Sequence, residues 1–247
     1  MTRDPMAGNQ SSGLPARPVL WRSPPKGKVL AFAPHPDDEV AGPGGTLARH
    51  QQQGDHVRVV VTTDGTNGDP DGHADPADVG ALRRKESRAG LAILGIDDVH
   101  YWGFPDGHVL SEVDLQRATA LAAAAITEFA PDVVYVPWEK DGHPDHHALF
   151  VVVTRALEQL GSNCLALGYE VWNAMIPDVI VDTTATAELK RQAMLAHASQ
   201  IRYVQFDRCL GGLSAYRAMV HMRGKGDGEA LCLVRGKLPA DLADPDA

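Results

Sequence analysis

The chain has 247 residues, 44% hydrophobic and 22% charged, the balance of a soluble globular protein with a sizeable core. Its formal net charge of −9, with no basic patch interleaved with aromatics, argues against nucleic acid or an anionic membrane as the main partner. Three cysteines, Cys164, Cys209 and Cys232, share no C-x-x-C spacing and suit reduced thiols, not a disulfide framework. No apolar run approaches the roughly 18 residues of a membrane span, and no apolar segment near the N-terminus suggests a secretory signal. The expectation is a cytoplasmic protein.

In chain order, residues 1–27 are rich in Pro, Ser, Gly and Arg without apolar period and read as a flexible extension, with Leu20 and Trp21 as its anchor. Residues 28–236 read as a single domain, and 237–247 as a flexible tail. Val29-Leu30-Ala31-Phe32 has the continuous apolar character of a buried strand and runs into Ala33-Pro34-His35-Pro36-Asp37-Asp38-Glu39. The two prolines fix φ on both sides of His35. Gly42-Pro43-Gly44-Gly45 then opens a helix, with glycines that allow close approach to the strands. A β-branched strand over His56–Thr62 leads into a polar loop from Thr63 to Pro76, long enough to be functional.

A helix is predicted over Pro76–Leu94, closed by Gly95, then a strand near Val99–Trp102 and a turn at Gly103–Gly107. The alanine-rich stretch Glu112–Phe129 is a helix by propensity. Asp132–Val136 reads as a strand ending near a second motif, His143-Pro144-Asp145-His146-His147, which opens a helix over Pro144–Leu160. Strands over Leu165–Trp172 and Val179–Val181, helices over Ala187–Ser199 and Cys209–Met222, and a last strand over Ala230–Val234 complete the pattern. Alternating β and α units predict an α/β fold, a Rossmann-like doubly wound, mostly parallel sheet with helices on both faces. In such sheets ligands bind beyond the carboxyl ends of strands where strand order reverses. The strands ending at Pro34 and Pro137 would be neighbours there, so the two histidine motifs would face each other.

A catalytic divalent metal commonly takes three protein ligands and leaves a position open. His35, Asp38 and His146 supply two imidazoles and a carboxylate. Asp37 is left beside the set, where a carboxylate can act as general base. The adjacent Asp37 and Asp38 could exchange roles, although an extended backbone would let only one of them join His35 readily. His143 and Asp145 flank the opposite side, where an imidazolium could stabilise a developing oxyanion.

His35-Pro36-Asp37-Asp38-Glu39 and His143-Pro144-Asp145-His146 closely resemble the paired motifs of the PIG-L/LmbE superfamily of zinc-dependent sugar de-N-acetylases. The resemblance continues in Arg83-Arg84-Lys85-Glu86, in Pro105-Asp106-Gly107 and in Lys190 through His197-Ala198-Ser199-Gln200, spanning about Lys28 to Val234. It implies a Rossmann-like fold, one Zn2+ per chain, and hydrolysis of an N-acetyl group, usually on a glucosamine-type sugar. By motif, His35, Asp38 and His146 look like the zinc ligands, Asp37 the general base and His143 the oxyanion stabiliser. Arg83 and Asp106 resemble substrate-binding residues. Some relatives place an oxyanion-contacting side chain just before the second motif, where Asp141 and Gly142 stand here.

Blander accounts apply elsewhere. Glu39 reads as a first-turn helix carboxylate, His147 as structural, and His50, His56, His100, His108 and His221 as surface or packing residues. His73 reads as solvated. His197 with Gln200 is open between an interface, a supporting role and helix packing. Trp102 and Trp138 fit a sugar site or plain packing. A non-haem iron oxygenase could use a His-x-Asp…His triad, but on an all-β scaffold. A metal amidase acting on a non-sugar amide is the other alternative. The acidic chain suits a neutral or cationic sugar or conjugate, with specificity in loops Asp64–Asp75 and Phe104–His108. A homo-oligomer is left open.

Overall fold

The structure, a computed structural model, describes residues 17–107 and 111–243. Among these residues eight strands form one sheet: β1 (Val19–Trp21), β2 (Val29–Ala33), β3 (Val57–Thr63), β4 (Asp98–Phe104), β5 (Val133–Pro137), β6 (Leu165–Tyr169), β7 (Val179–Asp182) and β8 (Gly228–Arg235). Eight helices accompany them: α1 (Asp38–Ala41), α2 (Gly44–Gln52), α3 (Pro76–Ile93), α4 (Glu112–Phe129), α5 (Pro144–Gln159), α6 (Ala187–Leu195), α7 (Ala198–Ile201) and α8 (Phe206–His221). Strand order is β1-β7-β8-β6-β5-β2-β3-β4. All pairings are parallel except those of β8, which runs antiparallel to β6 and β7. The chain winds outward from β2 through β3 to β4, then returns to lay β5 on the other side of β2. The β2/β5 boundary is therefore the switch point, as the sequence predicts.

All five residues of β2 are buried, because helices cover both faces of the sheet. Its side chains alternate: Val29, Ala31 and Ala33 join a core with Val40, Leu47, Leu91 and Met194, under α1, α2, α3 and α6. Leu30 and Phe32 join the opposite core with Ala122, Ile126, Val153 and Leu157 of α4 and α5. The turn that closes α1 passes so close to β6 that a Cβ on Gly42 would lie 2.3 Å from the Tyr169 ring, so only glycine fits. Helix starts follow local chemistry. Asp75 caps α3 by accepting from the Ala77 N–H at 2.9 Å, with Pro76 in the first turn, and Ser111 accepts from the Asp114 N–H to cap α4.

Several boundaries differ from expectation. The lead expected to be flexible through residue 27 contributes β1, which pairs with β7 and buries Trp21 completely. Three apolar residues set among prolines and arginines carry too little pattern to stand out, and their order comes from the sheet edge they complete. Residues 1–16 lie outside the described residues. The tail is likewise ordered through Ala243, which bridges to Trp21, while Leu238 and Leu242 pack on the core. Residues 244–247 lie outside the described residues. The predicted Ala187–Ser199 helix is broken at Ala196–His197 into α6 and α7, because His197 leaves the helical region at φ −85°, ψ 54°. The strand predicted through Trp172 stops at Tyr169, since the buried Glu170 carboxylate turns to the Arg217 guanidinium, which donates to it at 2.6 and 2.9 Å.

Candidate active site

The site begins where β2 ends. After Pro36 the chain turns directly into α1, so Asp37 is the residue before the helix and Asp38 its first residue. This turn separates the two carboxylates. Asp38 Oδ2 turns back to accept from the His35 N–H at 3.0 Å and lies 2.9 Å from His35 Nδ1. Asp37 Oδ2 faces α3 and accepts from Arg83 Nη2 at 3.1 Å. The expected extended backbone at this pair is thus a helix start, with the same effect of splitting their directions. Glu39 points away: its oxygens accept from Ser87 Oγ and the Asp37 N–H. Burial pushes the Glu39 carboxyl up to about 8, and both of its oxygens are turned to partners away from the histidines.

The second half arrives with α5. His143 is its N-cap residue, and its Nδ1 accepts from the Asp145 N–H at 3.2 Å. An Nδ1 that accepts assigns the proton to Nε2 in the neutral ring. Burial, followed by the nearby His35 and His146, lowers the His143 pKa. Asp145 Oδ2 accepts from the Gly107 N–H at 2.8 Å and lies 3.0 Å from His35 Nε2. Gly107 makes this turn at φ +70°, a conformation glycine adopts freely. Asp106 Oδ1 approaches the same His35 nitrogen at 3.2 Å, while Asp106 Oδ2 accepts from the Asn67 N–H and lies 3.5 Å from Arg83 Nη1. All eight predicted site residues, His35, Asp37, Asp38, Arg83, Asp106, His143, Asp145 and His146, therefore stand in one cluster. His108 lies outside the described residues.

His146 is fully buried, with Nε2 3.1 Å from Asp38 Oδ2 and Nδ1 3.4 Å from Asp141 Oδ1. Neither ring nitrogen makes a well-aligned hydrogen bond. A nitrogen and a carboxylate oxygen this close without pointing at one another are disposed as two donors aimed at a common cation. Two ligands at about 2.0 Å from a tetrahedral ion lie roughly 3.3 Å apart, close to what Asp38 and His146 present. Two groupings have donor atoms within 4.8 Å of each other, the three histidines His35–His143–His146 and the histidine–carboxylate set His35–Asp106–Asp145. Their overlap at His35 makes it the pivot of a possible metal site.

The electrostatics agree with that chemistry. Burial would lower the His35 and His146 pKa values, yet the surrounding carboxylates overcome it: His35 is raised well above 6.5 by Asp106, Asp145 and Asp38, and His146 to about 9, chiefly by Asp38. Asp38 is desolvated too, but His146 and His35 hold it well below the usual carboxylate range. A surround this rich in carboxylate suits a divalent cation, whose charge would take the place of the ring protons. Asp37 behaves differently. Burial raises it to about 6 against the pull of Arg83, so it has the basicity of a proton acceptor near neutral pH.

The cluster opens into a cleft of about 290 Å³, close to the lower end of the range of about 300–1,000 Å³ usual for small-molecule sites. Asn67, Trp172, Gln200, Tyr203 and Phe206 also line it. Asn67 belongs to the loop assigned to specificity, and Gln200 to a motif of open role. Trp172 and Phe206 carried no sequence signal, because one sat in an apolar run read as strand and the other just ahead of a helix read as starting at Cys209. Trp102 packs edge-on to Phe32 and Phe104, and Trp138 packs on a small core with Ile180 and Met222, so neither lines the cleft. His50 is buried between Asp55 and the Tyr135 hydroxyl, and His73 is exposed.

A doubly wound sheet with histidines and carboxylates converging at its switch point defines an α/β enzyme. The chain belongs to the PIG-L family: the model of that family, GlcNAc-PI de-N-acetylase, matches residues 30–157. It is 31% identical over 231 residues to the 1D-myo-inositol 2-acetamido-2-deoxy-alpha-D-glucopyranoside deacetylase of Mycobacterium sp. (strain KMS), covering 70% of this chain and 74% of that one. The N,N'-diacetylchitobiose deacetylase of Pyrococcus horikoshii superposes with a TM-score of 0.71 at 26% identity, covering 85% and 84% of the two chains. The 4-carboxy-2-hydroxymuconate hydratase of Pseudomonas putida KT2440 shares the fold, with a TM-score of 0.76 at 21% identity over 89% of this chain and 100% of that one. Among the described residues no helix is long and apolar enough to cross a membrane. The iron-oxygenase alternative is not favoured, since the scaffold is a parallel doubly wound sheet and not an all-β one.

Proposed function

We propose that this protein hydrolyses the N-acetyl group of an N-acetylglucosamine-type sugar or glycoconjugate, with one Zn2+ per chain held by His35, Asp38 and His146. The observation that carries the reading is the meeting of Asp38 Oδ2 with His35 and His146 at 2.9 and 3.1 Å, beside a separately held Asp37 in an open cleft. Asp38 is preferred over His143 as the third ligand because His143 spends Nδ1 on the Asp145 N–H and keeps its proton on Nε2. When bound, the ion supplies Lewis-acid polarisation of the acetyl carbonyl and makes a water acidic near neutral pH. Two imidazoles and a carboxylate suit zinc.

The chain's own groups do the rest. Asp37, oriented by Arg83, accepts a proton from the attacking water and delivers it to the departing amine nitrogen as the C–N bond breaks. The products are acetate and the free amine. His143 donates its Nε2–H to the carbonyl oxygen as negative charge grows there. Asp145, at the start of α5, holds the His35 ring and the Gly107 turn in place. Arg83 and Asp106 stand on the cleft wall as substrate-side groups. The sugar assignment draws on the two deacetylases named above, whose names describe removal of an acetyl group from an amino sugar. Acetate release from N-acetylglucosamine, N,N'-diacetylchitobiose and inositol-linked N-acetylglucosamine tests it. Turnover of one or more is expected. Silence on all three, with good activity on a non-sugar amide, overturns it.

A further inference from the structure

Trp172 stands at the cleft with half its surface exposed, and its ring meets Phe206 edge-to-face at 5.9 Å and 73°. Single exposed aromatics are common and need no explanation. This one differs in two respects. It lines the same cleft as His35, Asp38 and Asp106, alongside Phe206 and Val204. Its backbone is also tied to the reacting centre: the Asp141 carboxylate accepts from the Val171 N–H at 2.8 Å and the Trp172 N–H at 3.1 Å, while its other oxygen lies 3.4 Å from His146 Nδ1. One buried side chain thus lies beside a histidine of the site and holds the backbone of the aromatic wall.

Several polar donors that line the cleft are already engaged. Tyr203 donates its hydroxyl to Asp69, Gln200 Nε2 donates to the Gly68 carbonyl at 3.0 Å, and Asn67 Nδ2 to the Asp106 carbonyl at 2.6 Å. Arg83 is the one arginine or lysine among the described lining residues, and Asp37 and the Gly65 carbonyl hold it. What this wall offers a ligand is aromatic surface, with little free hydrogen bonding and no free cation for a phosphate.

Resting on the deacetylase reading above, we propose that Trp172 and Phe206 form a subsite for the group attached to the reacting sugar, and that this group is an uncharged ring with a flat apolar face. A second pyranose, through its C–H face, and an aryl aglycone share that chemistry. The protein then prefers extended N-acetylglucosaminides to the free sugar.

The test compares kcat/KM of the zinc-loaded enzyme for N-acetylglucosamine, N,N'-diacetylchitobiose and phenyl N-acetyl-β-glucosaminide, in wild type, Trp172→Ala and Trp172→Phe. The ratio of extended to free sugar should fall about tenfold in Trp172→Ala and be largely restored in Trp172→Phe. The larger of the two ratios tells a sugar ring from an aryl one. An unchanged ratio in Trp172→Ala, including an equal loss on all substrates, overturns the proposal. Saturation-transfer NMR of phenyl β-glucoside, which has no acetyl group, supplies a second readout on protein without metal. Ring contact present in wild type and lost in Trp172→Ala supports the subsite, and no contact in wild type counts against it. If no N-acetylglucosaminide is hydrolysed, the deacetylase reading falls while this binding result still decides the subsite.

Discussion

Asp37 and Asp38 show how much one peptide bond can separate in role. One faces Arg83 from outside the helix and the other turns inward to two imidazoles from its first turn. If Asp37 is the base, Asp37→Asn keeps zinc and loses about 10²–10⁴-fold in kcat, because an amide cannot take the water's proton. Asp38→Asn instead loses zinc, and added zinc restores part of the activity. Zinc content and kcat measured on both variants decide between them, and the opposite pattern reverses the assignment. His197 is a second residue whose chemistry is set by surroundings. It is 2% exposed, and neither ring nitrogen makes a well-aligned hydrogen bond. Burial lowers its pKa from 6.5 to about 4, so the unfolded chain binds a proton that the native one refuses between those values. Its contribution is complete above pH 6.5 and is lost as the pH falls toward 4, roughly 3 kcal/mol in all. Urea unfolding at about pH 7 and about pH 4.5 should show a smaller pH dependence in His197→Gln than in wild type. Equal slopes would assign the acid sensitivity to other groups.

At the scale of elements, the glycine-rich start of α2 is held by β8, its distant neighbour in sequence. Glu229 of β8 accepts from the Gly45 N–H at 2.8 Å, the Thr46 N–H at 2.7 Å, Thr46 Oγ1 at 2.6 Å and Lys190 Nζ at 2.6 Å. A carboxylate at a helix N-terminus complements the helix dipole, and here it also neutralises a buried ammonium. Lys190 has the Gly42 carbonyl as its other partner. Glu229→Ala strands that buried charge and should cost about 3–5 kcal/mol in denaturant unfolding. Lys190→Met should cost less, because Glu229 keeps three donors. A larger loss for Lys190→Met would show that Lys190 and not Glu229 holds this corner. The corner matters because α1 and α2 follow directly on the histidine motif and are braced by it.

For the whole molecule, the site is a product of topology. The ends of β2 and β5 are neighbours because the chain winds out to β4 and returns, and that return sets His35 against His143 and His146. An ion bound across these two segments favours the folded state over the unfolded one. Stripping the metal should lower Tm and abolish hydrolysis, and zinc at about a hundredfold excess over Kd should restore roughly 2.7 kcal/mol. Calorimetry of stripped and reloaded protein, with activity followed alongside, checks this. Full activity and an unchanged Tm in protein shown to be free of metal would remove the ion from the proposal.

Much of this protein is legible in its amino-acid order. The buried run Val29–Phe32, the alanine-rich α4, the prolines and caps of α3 and α5, and the β–α alternation each arise from local rules of burial, propensity and capping, which act over a few residues. So does the placement of each histidine–carboxylate motif after a strand. Other features depend on contacts that no short window contains. Val19–Trp21 is a strand because β7 offers an open edge, and α6 breaks from α7 where His197 packs into the interior. The orientation of the His143 ring follows from the hydrogen bond its Nδ1 accepts across the first turn of α5. The aromatic wall at Trp172 and Phe206 joins the ends of two segments over thirty residues apart, and Asp141 sets its place. Local order determined which groups are available for chemistry, and packing at long range decided which of them meet, in what protonation state, and beside which surface.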